Sequence, residues 1–194
     1  KVKVINACPD APAVDILIDG IKQNPSGIKF PEFTNYINVD PGSRNLKVSA
    51  EGSGTPVIDG NVSLEKGKSY SVFTVNVFTK VEPLILLDDL AKPSPGKSRF
   101  RFVHVSPDAP PLDVSIKGGP TYPGITFKSA TGFSLIDSGT YLVEVRIAGT
   151  TPVVASLPGV NLTEGKNYTV FIKGFVNPPA GNPNVLGVQV IVQE

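Results

Sequence analysis

Lys1-Val-Lys-Val sets apolar residues at every second position, and Arg99-Phe-Arg-Phe repeats the pattern with different residues. Alternation of this kind predicts half-buried strands at both places. Val14, Ile16 and Ile18 share one face of a second segment, as do Leu112, Val114 and Ile116 in a later one. NLKVSA, YSVFTVNV and EPLILLDD predict further strands, with YLVEVRIA, YTVFIKGF and VLGVQVIV as their counterparts. No segment carries a helical stripe of a dozen residues with apolar positions three and four apart. About seven short strands in each half predict antiparallel sandwiches.

The counterparts keep their order and spacing. KVKVINACPDAPAVDILIDG at 1–20 lies over RFRFVHVSPDAPPLDVSIKG at 99–118, and VSLEKGKSYSVF at 62–73 lies over VNLTEGKNYTVF at 160–171, both at an offset of 98. GIKF pairs with GITF and VDPGSRNLKV with IDSGTYLVEV at an offset of 97. A nearly constant offset over a normal domain length means duplication of a whole domain. The expected organisation is a first sandwich at 1–90, a stiff Pro-rich linker at 91–98 and a second sandwich at 99–194. Leu64-x-x-Gly67-x-x-Tyr70 and Leu162-x-x-Gly165-x-x-Tyr168 each lead into an apolar strand. Their spacing predicts tyrosine corners of the immunoglobulin type, in which Tyr70 and Tyr168 bond upstream backbone.

The motif [CS]-P-D-A-P-x-[VL]-D at each domain start, with EPLILLDD closing the first copy, resembles the bacterial domain-of-unknown-function family 4397. The resemblance covers essentially the whole chain as two tandem copies. It implies tandem sandwich domains, immunoglobulin-like in the fibronectin or transthyretin manner, in secreted or cell-envelope proteins of bacteria, often lipoproteins, with no established activity. The second copy ends in VLGVQVIVQE without the acidic LLDD, so Asp88 and Asp89 read as a lead into the linker.

Within the repeated motif, Pro9, Pro12, Pro107 and Pro110 fix turn geometry, and Asp10 and Asp108 suit Asx-type turns. Asp15 and Asp113 lie opposite the Val/Ile face, which leaves them as candidate binding residues. Calcium takes six to eight oxygens, whereas two acids recur per copy and Asp19 becomes Lys117. No metal and no cofactor is therefore expected.

Charge nearly cancels, with 18 Lys+Arg against 17 Asp+Glu. No basic segment supports nucleic-acid binding. The lone His104 aligns with Asn6, and Cys8 belongs to the other domain, so the usual nucleophile–base partners are missing. Cys8 itself aligns with Ser106 and reads as a small residue before a turn. No catalytic residue is expected; hydrolysis by paired carboxylates is the alternative of another class. The lack of methionine, even at position 1, suggests a processed or truncated start, with membrane attachment only through a lipid anchor upstream of Lys1.

Recognition then falls to loops, which carry it at the ends of sandwich domains. The segment 175–187 is longer than its counterpart at 76–84, which makes Asn177, Asn182 and Asn184 candidates. Tyr122 and Tyr36 are the candidate exposed aromatics in a chain without tryptophan. The expected role is a non-catalytic envelope or secreted module that binds a surface protein or glycan. A structural spacer is the alternative.

Overall fold

The computed structural model describes residues 1–194. The chain divides into two compact units, Lys1–Asp88 (domain 1) and Asp89–Glu194 (domain 2). Both are all-β, in accord with the alternating sequence pattern. Domain 1 holds β1 (Val2–Asn6), β2 (Val14–Ile18), β3 (Ile21–Lys22), β4 (Gly42–Ala50), β5 (Pro56–Leu64), β6 (Ser69–Val75) and β7 (Glu82–Asp88). Domain 2 holds β8 (Lys97–His104), β9 (Leu112–Ile116), β10 (Thr121–Ile125), β11 (Ser134–Asp137), β12 (Gly139–Ile147), β13 (Val153–Leu162), β14 (Asn167–Lys173) and β15 (Gly187–Val192).

Domain 1 stacks the sheet β1-β6-β7 on β3-β2-β4-β5, and domain 2 stacks β11-β8-β14-β15 on β10-β9-β12-β13. Each core forms where apolar faces of both sheets meet. Val4, Ile16, Val48 and Val72 are buried together in domain 1; Phe100, Phe102, Val114, Val145 and Val170 are buried together in domain 2. Truncating a buried Phe such as Phe102 to Ala carries the usual cavity cost of about 3–5 kcal/mol.

The strand order has its own character. In the constant-type immunoglobulin arrangement the first two strands are neighbours in one sheet; here β1 and β2, like β8 and β9, lie in opposite sheets. The first strand of each domain runs parallel to the penultimate one, β1 with β6 and β8 with β14. All other strand pairs are antiparallel.

The expected half-burial of the first strands does not hold, because Lys3 is 4% and Arg101 3% exposed. Chain segments running beside these strands supply aromatic faces to the cations. The Lys3 ammonium lies 4.5 Å from the Tyr36 ring centre, and the Arg101 guanidinium 4.8 Å from that of Phe133. Arg101 Nε also donates to Thr169 Oγ1 at 3.0 Å.

The expected linker is docked onto domain 2. Gly96 N–H donates to Glu164 Oε1 at 2.8 Å, Asn167 Nδ2 donates to Ala91 O at 3.2 Å, and Arg99 pairs with Asp89 at 2.5 Å. Asp88, the last residue of domain 1, closes β7 as a buried acceptor for Tyr36 Oη at 2.6 Å and Ser71 Oγ at 2.8 Å, so it also anchors that domain.

Candidate functional site

The repeated Pro-Asp turns are backbone fasteners. Asp10 Oδ1 accepts the Phe78 amide at 2.8 Å, and Asp108 accepts the amides of Val176 and Asn177 through its two oxygens, each at 2.8 Å. These partners lie across the domain, beyond the penultimate strand, and not within the local Asx turn that the motif suggested. Pro9 is buried, Pro107 half-buried, and Pro12 and Pro110 exposed.

The neighbouring Cys8 and His104 are equally committed. The buried Cys8 thiol donates to Asp10 Oδ1 at 3.3 Å, and burial pushes its pKa up to about 12. His104 is fully buried. Its Nδ1 accepts the Ser106 amide at 3.3 Å, as Asn6 Oδ1 accepts the Cys8 amide at 3.2 Å. His104 Nε2 faces Pro110 O at 3.3 Å, and burial holds the ring's pKa below the ordinary value. A neutral imidazole engaged at both nitrogens has no position left for a substrate proton.

Asp15 and Asp113 are both engaged by the fold. Asp15 takes Lys22 Nζ at 2.8 Å, the Gly52 amide at 3.1 Å and Asn24 Nδ2 at 3.3 Å. Asp113 takes the amides of Gly124 at 2.8 Å and Gly149 at 2.9 Å. The Lys22 contact lowers the Asp15 pKa most, and the Gly149 amide that of Asp113. Each carboxylate braces the hairpin that follows β4 or β12.

Tyr122 and the backbone of the 175–187 segment are also engaged by the fold. Tyr122 is half-buried and not an exposed platform: its ring packs edge-on to Phe100 and Phe102, and its hydroxyl donates to Ser134 Oγ at 2.6 Å. In the 175–187 segment, Phe175 is buried and pairs backbone with Asn184 and Leu186. Asn182 N–H donates to Pro179 O at 2.9 Å, and Asn182 Oδ1 accepts the Asn184 amide at 2.8 Å. Gly174 sits at φ +81°, where a Cβ would lie 2.1 Å from Val185 O. The Asn177 amide is the one held by Asp108. The longer segment is thus a tightly wound turn. Tyr70 and Tyr168 each accept a backbone amide five residues upstream, from Glu65 at 3.1 Å and Thr163 at 2.9 Å.

An open groove of about 460 Å³ lies in domain 1 between 23–28 and 32–37. Its origin is local. β3 ends at Lys22, and the side chain of Asn24 then takes over the pairing a strand backbone would make. Asn24 Oδ1 accepts the Ile16 amide at 2.7 Å, and its Nδ2 reaches Val14 O at 3.1 Å and Ser26 O at 2.7 Å. The backbone of 25–27 leaves the sheet before Ile28 bridges Val14, and 23–28 form one wall. The facing wall carries Phe33, 39% exposed, and the exposed Asn35, whose amide makes no hydrogen bond within the protein. Gln23 and Ser26 add an amide and a hydroxyl to the first wall. Glu32 is the one acid among the lining residues, and it accepts the Lys29 amide at 2.9 Å. No cluster of three or more His, Cys, Asp or Glu is placed to hold a metal ion.

Phe33, Asn35, Gln23 and Ser26 were not among the sequence candidates. Their signal is a departure between the copies: at the offset of 97, Phe33 and Asn35 stand against Ala130 and Gly132. The aromatic-polar run FPEFTNY lies where no strand pattern exists.

These features define a tandem β-sandwich protein whose first domain bears an open, amide-lined groove. The chain belongs to the family described as Domain of unknown function (DUF4397), which matches residues 1–115 and again 103–189. No curated protein sequence matches it. Among solved structures it is similar to the family 26 carbohydrate-binding module CBMbc of Eubacterium rectale Amy13K, solved with maltoheptaose. The TM-score is 0.30 at 10% identity over 99% of this chain and 94% of that chain. It is also similar to the Bacillus anthracis TIE protein, with a TM-score of 0.28 at 11% identity over 90% of this chain and 33% of that chain. Scores this low assign no function.

Proposed function

We propose that the chain is a non-catalytic binding module of the cell envelope or secreted space, and that the domain 1 groove takes an uncharged, hydroxyl-rich ligand, an oligosaccharide. The observation that carries this reading is the half-open ring of Phe33 beside the unengaged amide of Asn35, in a groove of about 460 Å³. Ligand pockets span about 300–1,000 Å³ and join apolar surface to a few polar groups. A sugar ring offers an apolar face to an aromatic ring and hydroxyls to amides at its rim, and this groove supplies both. The commitment of His104, Cys8, Asp15 and Asp113 to the fold supports a non-catalytic role. No helix is long and apolar enough to cross a membrane.

The test is titration of the full chain with maltoheptaose, cellohexaose and chitohexaose, followed by amide NMR. Binding by at least one sugar shifts resonances of 23–37, and Phe33→Ala or Asn35→Ala weakens it about tenfold, the worth of a lost aromatic or hydrogen-bonding contact. Three sugars without shifts in this segment sink the reading in favour of a spacer.

A further inference from the structure

The groove has a counterpart in domain 2, and the correspondence is set by backbone pairing. Ile28 bridges Val14, and Ile125 pairs with Leu112; Ile5 bridges Phe33, and Val103 bridges Ala130. Thr34 Oγ1 accepts the Val4 amide at 3.0 Å, and Thr131 Oγ1 accepts the Phe102 amide at 2.9 Å. Gln23 N–H donates to Ile16 O where Tyr122 pairs with Val114, so the walls 23–28 and 32–37 correspond to 122–125, two residues shorter, and 129–134.

The two copies part along the first wall. Domain 1 abandons β3 at Lys22 and lets Asn24 stand in for the strand. Domain 2 continues as β10, which sets Tyr122 opposite Val114. From that position the Tyr122 ring lies 6.0 Å from Phe100 and 5.3 Å from Phe102, centre to centre. Its hydroxyl reaches Ser134 on the facing wall. The side chain thus spans from one wall to the other. At the positions of Phe33 and Asn35, this copy carries Ala130 and Gly132, which offer a ligand neither a ring nor an amide side chain.

We propose that Tyr122 fills in domain 2 the space that stands open as the groove in domain 1, so that domain 2 holds a closed copy of the site and the chain presents one open site. Tyr122 then shows the shape of occupant the groove accepts: a six-membered ring with a hydroxyl at its rim. Extending that shape to a pyranose rests on the reading of the groove as an oligosaccharide site; the plug itself does not.

The test uses the full chain with Tyr122→Gly and p-cresol, the free equivalent of the deleted side chain. At millimolar concentration p-cresol is expected to raise the melting temperature of Y122G by several degrees and to shift the amides of Phe100, Phe102 and Ser134. In the unmutated chain those amides stay still, and p-cresol shifts Ile28 and Thr34 of the open groove instead. A folded Y122G without shifts at Ser134 overturns the proposal, as do shifts in Y122G with none in domain 1 of either chain. If Y122G fails to fold, Tyr122→Ala and Tyr122→Leu take its place; failure of all three makes Tyr122 a core residue and overturns the plug. Since p-cresol reads the space and the oligosaccharides read recognition, either proposal can fall alone.

Discussion

Asp108 receives the amide of Val176 across 68 residues of sequence, at 2.8 Å, and the adjoining amide of Asn177 through its other oxygen. The turn that opens domain 2 is thereby tied to the turn that leaves its penultimate strand. Hydrogen bonds to a charged group are worth about 1.5–3 kcal/mol when buried and less at an exposed site such as this one. Asp108→Ala should lower domain 2 stability by about 1–2 kcal/mol in urea unfolding, with faster hydrogen exchange at Val176. Asp108→Asn, which keeps one acceptor, should lose less. Unchanged exchange at Val176 would leave the fastener without energetic content.

Tyr70 and Tyr168 each remove one otherwise unpaired amide from the turn before their strand. Replacing either by Phe keeps the ring and deletes the acceptor, at a cost of about 1 kcal/mol. The two costs should add in the double variant, because the corners belong to separate domains. Denaturant midpoints of the three variants check this, and no loss in either single variant rejects the corner as a stabilising contact.

The β-sandwich was legible because its signal is local: Val14, Ile16 and Ile18 alternate on one face, and so do their counterparts. The strand order was not, because alternation records burial and not partner, and the parallel pairing of β1 with β6 joins distant segments. The half-buried setting of Tyr122 was not legible for a related reason. Tyr122, within GGPTYPG, looks like an exposed loop residue, and its burial depends on Phe100, Phe102 and Ser134, three positions that no spacing rule connects. The groove in domain 1 follows from one side chain, Asn24, acting as a strand. A single asparagine in a loop carries no such message in the sequence.

Asp15 and Asp113 titrate below the usual carboxylate range, held there chiefly by Lys22 and the Gly149 amide respectively. A depressed folded pKa contributes stability that is present above the ordinary carboxylate value and is lost as pH falls through the folded one. Melting temperatures of the unmutated chain should therefore fall on acidification below about pH 5. The double variant Asp15→Asn, Asp113→Asn should start lower at neutral pH and fall less steeply. A parallel decline in both proteins would assign acid sensitivity to other carboxylates.

His104 gives a separate window at milder pH. Burial lowers its folded pKa below the ordinary 6.5, and its Nδ1 must stay unprotonated to accept the Ser106 amide. Above about pH 6.5 both folded and unfolded states carry a neutral ring, so the contribution is complete there. Below that value the unfolded state takes a proton first. Stability then declines by up to about 1.4 kcal/mol per pH unit until the folded pKa is passed. Domain 1 supplies the control, since Asn6 makes the corresponding bond to the Cys8 amide with a group that does not titrate. His104→Asn should remove the decline between pH 7 and pH 5.5 in urea unfolding of domain 2 while keeping the turn. An unchanged slope in His104→Asn would show that the imidazole is not the group responsible.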